Sequence, residues 1–163
     1  MLIKAYTNTY KTQCMILRPT NNFGPRQYPE KLIPLFLQRL FKGEKVPVYG
    51  DGMQVRDWLY VEDTCAAIDV LLEYGNWNEI YHVAGHNEKP NIEVIKTLIE
   101  LTGASENQIE YVQDRLGHDR RYSLNDDKLR QIDKWKFSPD PDFYSCLYNT
   151  VEWYKKKFFN KEV

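Results

Sequence analysis

Short apolar runs alternate with amphipathic helical patterns along this chain, and that alternation is its strongest constraint on the fold. Apolar or alternating runs predict strands at 14–17, 46–49, 55–61, 80–83 and 109–112. Apolar residues spaced three and four apart predict helices at 1–11, 32–41, 64–73, 92–102, 125–132 and 143–158. Strands that alternate with helices indicate an α/β fold.

The segment 18–32 (RPTNNFGPRQYPEKL) follows the first predicted strand and precedes an amphipathic helix. Open α/β sheets bind ligands at the carboxyl ends of their strands, so Asn21 and Asn22 are candidate ligand contacts. Lys31 could meet an anion near the start of the helix. An ordinary connection made of turn residues, with Lys31 on the surface, explains the same composition.

The segment 114–122 (DRLGHDRRY) places three arginines and His118 around Gly117. Arginine presents a planar fork of donors that matches phosphate oxygens, and Asp114 and Asp119 could hold such forks in place. The segment is therefore a candidate phosphate site. The alternative is a solvated loop whose charges pair with one another.

Arg56 lies in the middle of the predicted strand 55–61, and Asp57 points to the opposite face. A buried guanidinium needs a partner, and an anionic ligand could supply one. The alternative is an edge strand that exposes Arg56 to solvent. The strand at 46–49 is also predicted at an edge, because Pro47 lacks a backbone donor.

Polar residues before the helical patterns predict the helix starts. We expect Asp63, Asn91 and Asn125 to cap the helices that follow them, and Asp140 with Pro141 to begin the last helix. Apolar runs such as 14–17 favour strands that are buried on both faces. The first helical pattern has no cap before Met1, which suggests that the chain starts inside a larger fold.

The composition excludes several classes of function. With 22 basic and 23 acidic residues, a net charge of −1 argues against a nucleic-acid or membrane-surface binder. The three cysteines form no C-x-x-C pair and, with the three histidines, lack zinc-site spacing. No metal site is predicted, and reduced thiols favour the cytoplasm. Neither a membrane-spanning run nor a signal-peptide pattern occurs.

The motifs of a self-contained active site do not occur in the sequence. It has no G-x-G-x-x-G, no P-loop, no H-E-x-x-H, no G-x-S-x-G and no Tyr-x-x-x-Lys. No set of nucleophile, base and oxyanion donors is evident, so no catalytic residue is predicted.

Four segments together resemble a known family. The segments 17–32 and 47–63 (PVYGDGMQVRDWLYVED) are similar to extended short-chain dehydrogenases that act on nucleotide sugars. The segments 85–91 (GHNEKPN) and 114–122 resemble, more specifically, the dTDP-glucose 4,6-dehydratases. The resemblance covers essentially the whole chain but only the carboxyl-terminal half of such an enzyme.

The resemblance implies an extended Rossmann-type fold, with the last parallel strands of the core and a small α/β substrate-binding subdomain. Residues 1–30 would end the dinucleotide-binding core, and 31–163 would form mostly the nucleotide-sugar subdomain, with returning core elements. The Gly-rich loop, the Thr-Asp-Glu group and the Tyr-x-x-x-Lys pair of the family would lie upstream. NAD and a homodimer are implied for the full-length enzyme.

The resemblance also assigns roles to individual residues. Pro19 and Asn22 would contact the cofactor. Residues that would contact the nucleotide-diphosphate sugar, with dTDP-glucose as the expected one, are Asn21, Lys31, Leu32, Pro47, Val48, Tyr49, Arg56, Asn91, Asp114, Arg115, Gly117 and His118.

The expected function is thus the substrate-binding half of an NAD-dependent enzyme that converts dTDP-glucose to dTDP-4-keto-6-deoxyglucose and water, inactive by itself. Two alternatives remain open at this point. One is the corresponding half of a nucleotide-sugar epimerase or decarboxylase. The other is a non-catalytic nucleotide-sugar-binding or interaction module.

Overall fold

A computed structural model describes residues 2–136 and 142–159. Its elements in chain order are α1 (Leu2–Tyr10), β1 (Ile16–Pro19), β2 (Asn21–Phe23), α2 (Leu32–Phe41), β3 (Val46–Tyr49), β4 (Val55–Tyr60), α3 (Val61–Tyr74), β5 (Ile80–Val83), β6 (Glu88–Pro90), α4 (Asn91–Thr102), a 3₁₀ turn (Glu106–Gln108), β7 (Ile109–Val112), β8 (Arg121–Tyr122), α5 (Asp127–Arg130) and α6 (Phe143–Phe159). The α/β class is confirmed.

Most of the strand pairs are parallel, as helical crossovers require. β1 pairs with β5, and β3 pairs with β7. β4 pairs in parallel with β2 and β8 and antiparallel with β6. In the described chain β3 therefore has one strand neighbour, as predicted from Pro47.

Two hydrophobic cores lie on opposite sides of β4. Trp58 and Tyr60 belong to the larger core, between α2, α4 and α6, whereas Leu59 belongs to the smaller core beneath α3 and β5. The alternation predicted for this strand is thus confirmed. α2 and α4 turn their apolar stripes into the larger core, so their amino-terminal ends lie beside β3 and β4.

Asp57 is a buried carboxylate that fastens the loop after β5 to β4. It accepts hydrogen bonds from the backbone N–H groups of Gly85 and Asn87, each at 2.8 Å. A Cβ at Gly85 would lie 2.0 Å from the carbonyl oxygen of Trp58, so only glycine fits there. Asp57 therefore has a structural role and does not face a polar site.

Asp126 ties α5 to the same loop. Its side chain is 1% exposed and receives hydrogen bonds from Arg130 Nε at 2.8 Å and His86 Nε2 at 2.9 Å. Burial raises the pKa of this carboxyl, but the hydrogen bonds from Arg130 and His86 outweigh it, so the pKa lies below its usual value. The ionised form of Asp126 is therefore stabilised by folding.

Several predicted boundaries and caps are wrong. β1 begins at Ile16 and is only partly buried, and α1, which precedes it, buries none of its own residues. α3 begins at Val61, without a side-chain cap, so Asp63 lies in its first turn and not at its N-cap. Asn91 is the first residue of α4, after an uncapped Pro90.

The remaining helix ends are the start of α5, the end of α4 and the start of α6. The N-cap of α5 is Asp126 and not the predicted Asn125, which lies one residue earlier and accepts the N–H of Asp127 at 3.0 Å, and α5 ends at Arg130, before the predicted Ile132. Gly103 ends α4 in the left-handed conformation, with φ of 69°. The predicted start at Asp140 and Pro141 lies outside the described residues.

β2, β6 and β8 were not predicted as strands. Each has three residues or fewer and no apolar periodicity, and each pairs with β4. Tertiary pairing rather than local propensity places them. None of the helices in the described ranges is long and apolar enough to cross a bilayer.

We expect Asp57→Ala to lower the free energy of unfolding by about 1–3 kcal/mol, because the Asn87 N–H loses its acceptor and the buried Gly85 N–H keeps only the Thr20 hydroxyl, at 3.2 Å. Asp57→Asn keeps one acceptor oxygen and should cost about half as much. Urea denaturation checks both, with Asp69→Ala on the exposed side of α3 as the matched control. A loss in Asp57→Ala as small as in the control would contradict this role.

Asp126→Asn should lower the free energy of unfolding by about 1.5–3 kcal/mol at pH 7, since hydrogen bonds to a charged group are lost. The folded-state pKa lies below the unfolded value of about 3.9, so the wild-type advantage is lost as pH falls through the folded-state pKa. Denaturation curves at pH 7, 5 and 3 should show a smaller difference between the two proteins at pH 3 than at pH 5 and 7. A pH-independent difference would contradict this assignment.

Candidate functional site

A cavity of about 530 Å³ opens between β3, β4, the starts of α2 and α4, and the loop after β7. Its volume lies within the range of small-molecule sites. Its lining comprises Asn21, Glu30, Lys31, Leu32, Leu35, Phe36, Pro47, Val48, Tyr49, Gly52, Gln54, Arg56, Trp58, Asn91, Ile95, Arg115 and His118.

Most of the residues predicted to contact a nucleotide-sugar lie in this lining, although they come from distant parts of the sequence. Two of them, Asp114 and Gly117, do not line the cavity, and Gly117 is at a turn with φ of 70°. Lys31 is exposed, as the alternative of a surface lysine expected, and its Nζ lies 3.3 Å from Glu30 Oε1. It also lines the cavity. The structure thus brings the predicted set together, and their roles remain predictions.

Arg56 and Arg115 are the two arginines of the cavity, whose third cation, Lys31, pairs with Glu30. Arg56 Nη1 donates to the carbonyl oxygens of Val55 at 2.8 Å and Asp119 at 2.9 Å. The Arg115 guanidinium lies over the ring of Tyr49, 4.2 Å from its centroid. These contacts orient both side chains along the cavity wall, where an anion would meet two guanidinium groups.

The other two arginines of the loop pair with carboxylates elsewhere. Arg120 bonds to Asp51 at 3.0 Å, and Arg121 bonds to Glu88 through two contacts of 2.6 Å. These two arginines are therefore neutralised within the protein, although by carboxylates outside the segment and not by the self-pairing that the alternative expected. Only Arg115 among the three lines the cavity.

Asp114 organises the loop that carries Arg115 and His118. Its carboxylate accepts from His118 Nδ1 at 2.7 Å, from the Arg115 N–H at 2.8 Å and from Gln54 Nε2 at 2.8 Å. The hydrogen bond from His118, followed by those from Arg115 and Gln54, lowers the pKa of Asp114. Contrary to the sequence-based expectation, Asp114 holds backbone, imidazole and amide groups and no arginine fork.

Three buried polar atoms of the lining residues have no hydrogen-bond partner among the described residues. They are the acceptors Gln54 Oε1 and Asn91 Oδ1 and the donor Trp58 Nε1. Buried polar groups are normally paired, so such a cluster is typical of a site that binds a polar molecule. The cavity offers hydrogen bonds as well as charge.

Sequence reasoning missed several lining residues. Leu35, Phe36 and Ile95 follow Leu32 and Asn91 at helical spacings of three or four, so the helical period could have found them. Trp58 alternates with Arg56 along β4. Glu30, Gly52 and Gln54 gave no comparable signal, because only the folded loops bring them to the cavity.

The predicted cofactor contacts do not line this cavity. Pro19 ends β1, and Asn22 lies in β2. Asn22 Nδ2 donates to the Thr20 carbonyl at 3.2 Å, and its Oδ1 accepts from the Thr64 hydroxyl. The Asn22 amide is therefore already engaged within the protein. No group of three potential metal ligands is found among the described residues.

Curated relatives match almost the whole chain. A "Low-salt glycan biosynthesis protein Agl12" of Haloferax volcanii is 46% identical over 154 residues, which is 94% of this chain and 49% of the relative. A dTDP-glucose 4,6-dehydratase of Actinoplanes sp. is 44% identical over 155 residues, 95% of this chain and 48% of the relative. The chain spans about half the length of these relatives.

Solved structures have the same fold. A dTDP-glucose 4,6-dehydratase of Bacillus anthracis in complex with NAD superposes with a TM-score of 0.85 at 47% identity, covering 96% of this chain and 49% of that one. The corresponding enzyme DesIV of Streptomyces venezuelae, with NAD and TYD bound, gives 0.87 at 39% identity and 97% and 49% coverage. A UDP-glucose 4-epimerase of Thermotoga maritima with UDP-glucose gives 0.86 at 28%, covering 97% and 51%.

A family model independently matches residues 1–84, which include the first two quoted motifs. Together with the parallel strands and the cavity at their ends, this match assigns the chain. It belongs to the NAD dependent epimerase/dehydratase family.

Proposed function

We propose that this chain forms the nucleotide-diphosphate-binding wall of an NAD-dependent dTDP-glucose 4,6-dehydratase. The observation that carries the proposal is the cavity in which Arg56 and Arg115 meet the strand Val46–Tyr49 and the start of α4. Relatives at 44% and 47% identity, both named dTDP-glucose 4,6-dehydratase, support the substrate class.

The charges of the cavity suit a diphosphate. Two guanidinium groups can each donate a pair of charge-assisted hydrogen bonds to phosphate oxygens. Their existing contacts use carbonyl oxygens and an aromatic face and no carboxylate, so neither charge is neutralised by these contacts. An anionic ligand would therefore gain from both.

The remaining lining suits a nucleoside. Leu32, Leu35, Phe36 and Ile95 provide an apolar wall beside Pro47 and Val48, against which a planar base can pack. The buried amide oxygen of Asn91 lies at the same cavity and can pair a donor of the ligand. The cavity thus combines the features that a nucleotide requires.

The cofactor belongs, in this proposal, to the full-length enzyme. NAD would accept and return the hydride there, and residues 1–30 would supply only the edge of its site. Because the amide of Asn22 is engaged by Thr20 and Thr64, its contribution is to hold β2 in place beside the cofactor. Residues 31–163 would form mostly the nucleotide-sugar subdomain.

The full-length enzyme is proposed to be a cytoplasmic homodimer. Cys14, Cys65 and Cys146 form no disulfide bond in the described chain, which supports a reducing compartment. α1 buries none of its residues and exposes Leu2, Tyr6 and Tyr10, a face that further protein could cover.

A nucleotide-sugar epimerase is the second candidate. The fold does not discriminate, because the UDP-glucose 4-epimerase superposes with a TM-score of 0.86. Its 28% identity, against 47% and 39% for two dehydratases, favours the dehydratase. Stronger binding of UDP than of dTDP would reverse this preference.

Arg56→Ala and Arg115→Ala should each weaken dTDP binding by roughly tenfold or more, because each removes charge-assisted hydrogen bonds to the diphosphate. Titration calorimetry of the chain measures this. Arg39→Ala, which removes an arginine that bonds to the Lys45 carbonyl outside the cavity, is the matched control. Equal affinities for wild type and the Arg56→Ala/Arg115→Ala double variant would contradict the diphosphate site.

The 163-residue chain should not convert dTDP-glucose to a 4-keto sugar in the presence of NAD, because its sequence contains neither the Tyr-x-x-x-Lys pair nor the Gly-rich loop. Product analysis by mass spectrometry tests this expectation. A full-length dTDP-glucose 4,6-dehydratase assayed alongside shows that the conditions permit turnover. Product formed by the pure chain would overturn the assignment of a binding role alone.

A further inference from the structure

We infer that Gln54 is a positioning residue that holds the loop 114–118, which we call the clamp loop, so that Arg115 faces the diphosphate. The inference rests on the proposed function, since it takes the cavity to bind a nucleoside diphosphate. Gln54 precedes β4 and is 2% exposed.

The amide nitrogen of Gln54 joins two separate parts of the cavity wall. Its Nε2 donates to Asp114 Oδ2 at 2.8 Å and to the Tyr49 carbonyl at 3.3 Å. The first bond reaches the clamp loop, and the second reaches the end of β3. One buried side chain thus fixes the distance between the strand and the loop.

Asp114 connects Gln54 to Arg115 and His118, which would face the ligand. The same carboxylate accepts from the Arg115 N–H and from His118 Nδ1. The ring of Tyr49 lies beneath the Arg115 guanidinium and meets His118 edge to face, with centroids 6.4 Å apart. Gln54 therefore holds both the backbone and the aromatic platform of Arg115.

The turn after β3 leaves little room for an alternative arrangement. The Gly50 N–H donates to the Val112 carbonyl at 2.9 Å, and a Cβ at Gly50 would lie 3.0 Å from Asp114 Oδ2. Asp114 thus lies directly against the turn, where Gln54 can reach it. Loss of the Gln54 bond would remove the side-chain hydrogen bond that joins the Asp114 carboxylate to the residues before β4, and would leave the contacts of Arg115 and His118 with Tyr49 and the bond from Arg56 to the Asp119 carbonyl.

The amide oxygen of Gln54 gives a further argument that glutamine has a functional role at this position. Gln54 Oε1 is buried without a partner among the described residues. An unpaired buried acceptor destabilises a fold, and an apolar side chain of similar size would avoid that cost. The donor bonds of Nε2 are the property that glutamine adds at this position.

Pre-ordering Arg115 matters because a free arginine side chain loses much rotational freedom when it binds. A loosened clamp loop would lower the affinity for the diphosphate more than the affinity for the nucleoside. Binding of dTDP and of thymidine, which lacks the phosphates, should therefore respond differently to changes at Gln54.

The experiment compares wild type with Gln54→Met, Gln54→Glu and the exposed control Gln131→Met. Calorimetric titrations use dTDP and thymidine, and amide hydrogen exchange of residues 114–118 is followed without ligand. Gln54→Met should weaken dTDP binding about tenfold, leave thymidine binding within about twofold and speed exchange in the clamp loop. Gln131→Met should match wild type in all three measurements.

Gln54→Glu supplies a second, independent readout. At pH 8 two carboxylates face each other and the clamp loop should open, whereas at pH 5 the pair can share a proton and restore the bond to Asp114. The ratio of its dTDP affinity to that of wild type should rise several-fold between pH 8 and pH 5. Gln54→Met should show no such rise.

Unchanged dTDP affinity and exchange in Gln54→Met, or a pH-independent ratio in Gln54→Glu, would overturn the inference while the proposed function stands. Equal losses for dTDP and thymidine would also overturn it, because they indicate a general loss of structure. If wild type does not bind dTDP, the proposed function fails, and the role of Gln54 toward a diphosphate fails with it.

Discussion

The pairing of β4 on both of its edges is the constraint on which the rest of this structure depends. β4 is hydrogen-bonded to β2, β6 and β8, and its alternating side chains enter two different cores. A strand in this position cannot shift by one residue, because such a shift would exchange the contents of the two cores. The buried carboxylate of Asp57 fixes the neighbouring loop to the same strand.

That fixed register also builds the cavity. Arg56 and Trp58 lie on one face of β4, so the alternation that sends Leu59 to the smaller core turns these two toward the cavity. The starts of α2 and α4 approach the same face because their apolar stripes pack in the larger core. Core packing and site formation therefore use the same set of elements.

The clamp loop shows how hydrogen bonds direct one arginine of a charged segment to the cavity. The segment 114–122, of which it is part, has three arginines, yet two of them pair with Asp51 and Glu88 and only Arg115 reaches the cavity. Asp114 selects this arrangement through bonds to Arg115, His118 and Gln54. Composition indicated a candidate anion site, and the network of hydrogen bonds decides which guanidinium of the segment lies at the cavity.

The sequence alone determined the α/β class, the bounds of α2 and β3, and the candidate residues Arg56 and Arg115, because periodicity and local charge are properties of neighbouring residues. The resemblance of four motifs added Pro47, Val48 and Leu32, which no spacing rule selects. Only the tertiary structure decided that β2, β6 and β8 are strands, since their hydrogen bonds come from β4. It likewise decided the partners of Asp57 and Gln54, because Gly85 and Asp114 lie far along the chain and are brought near by packing.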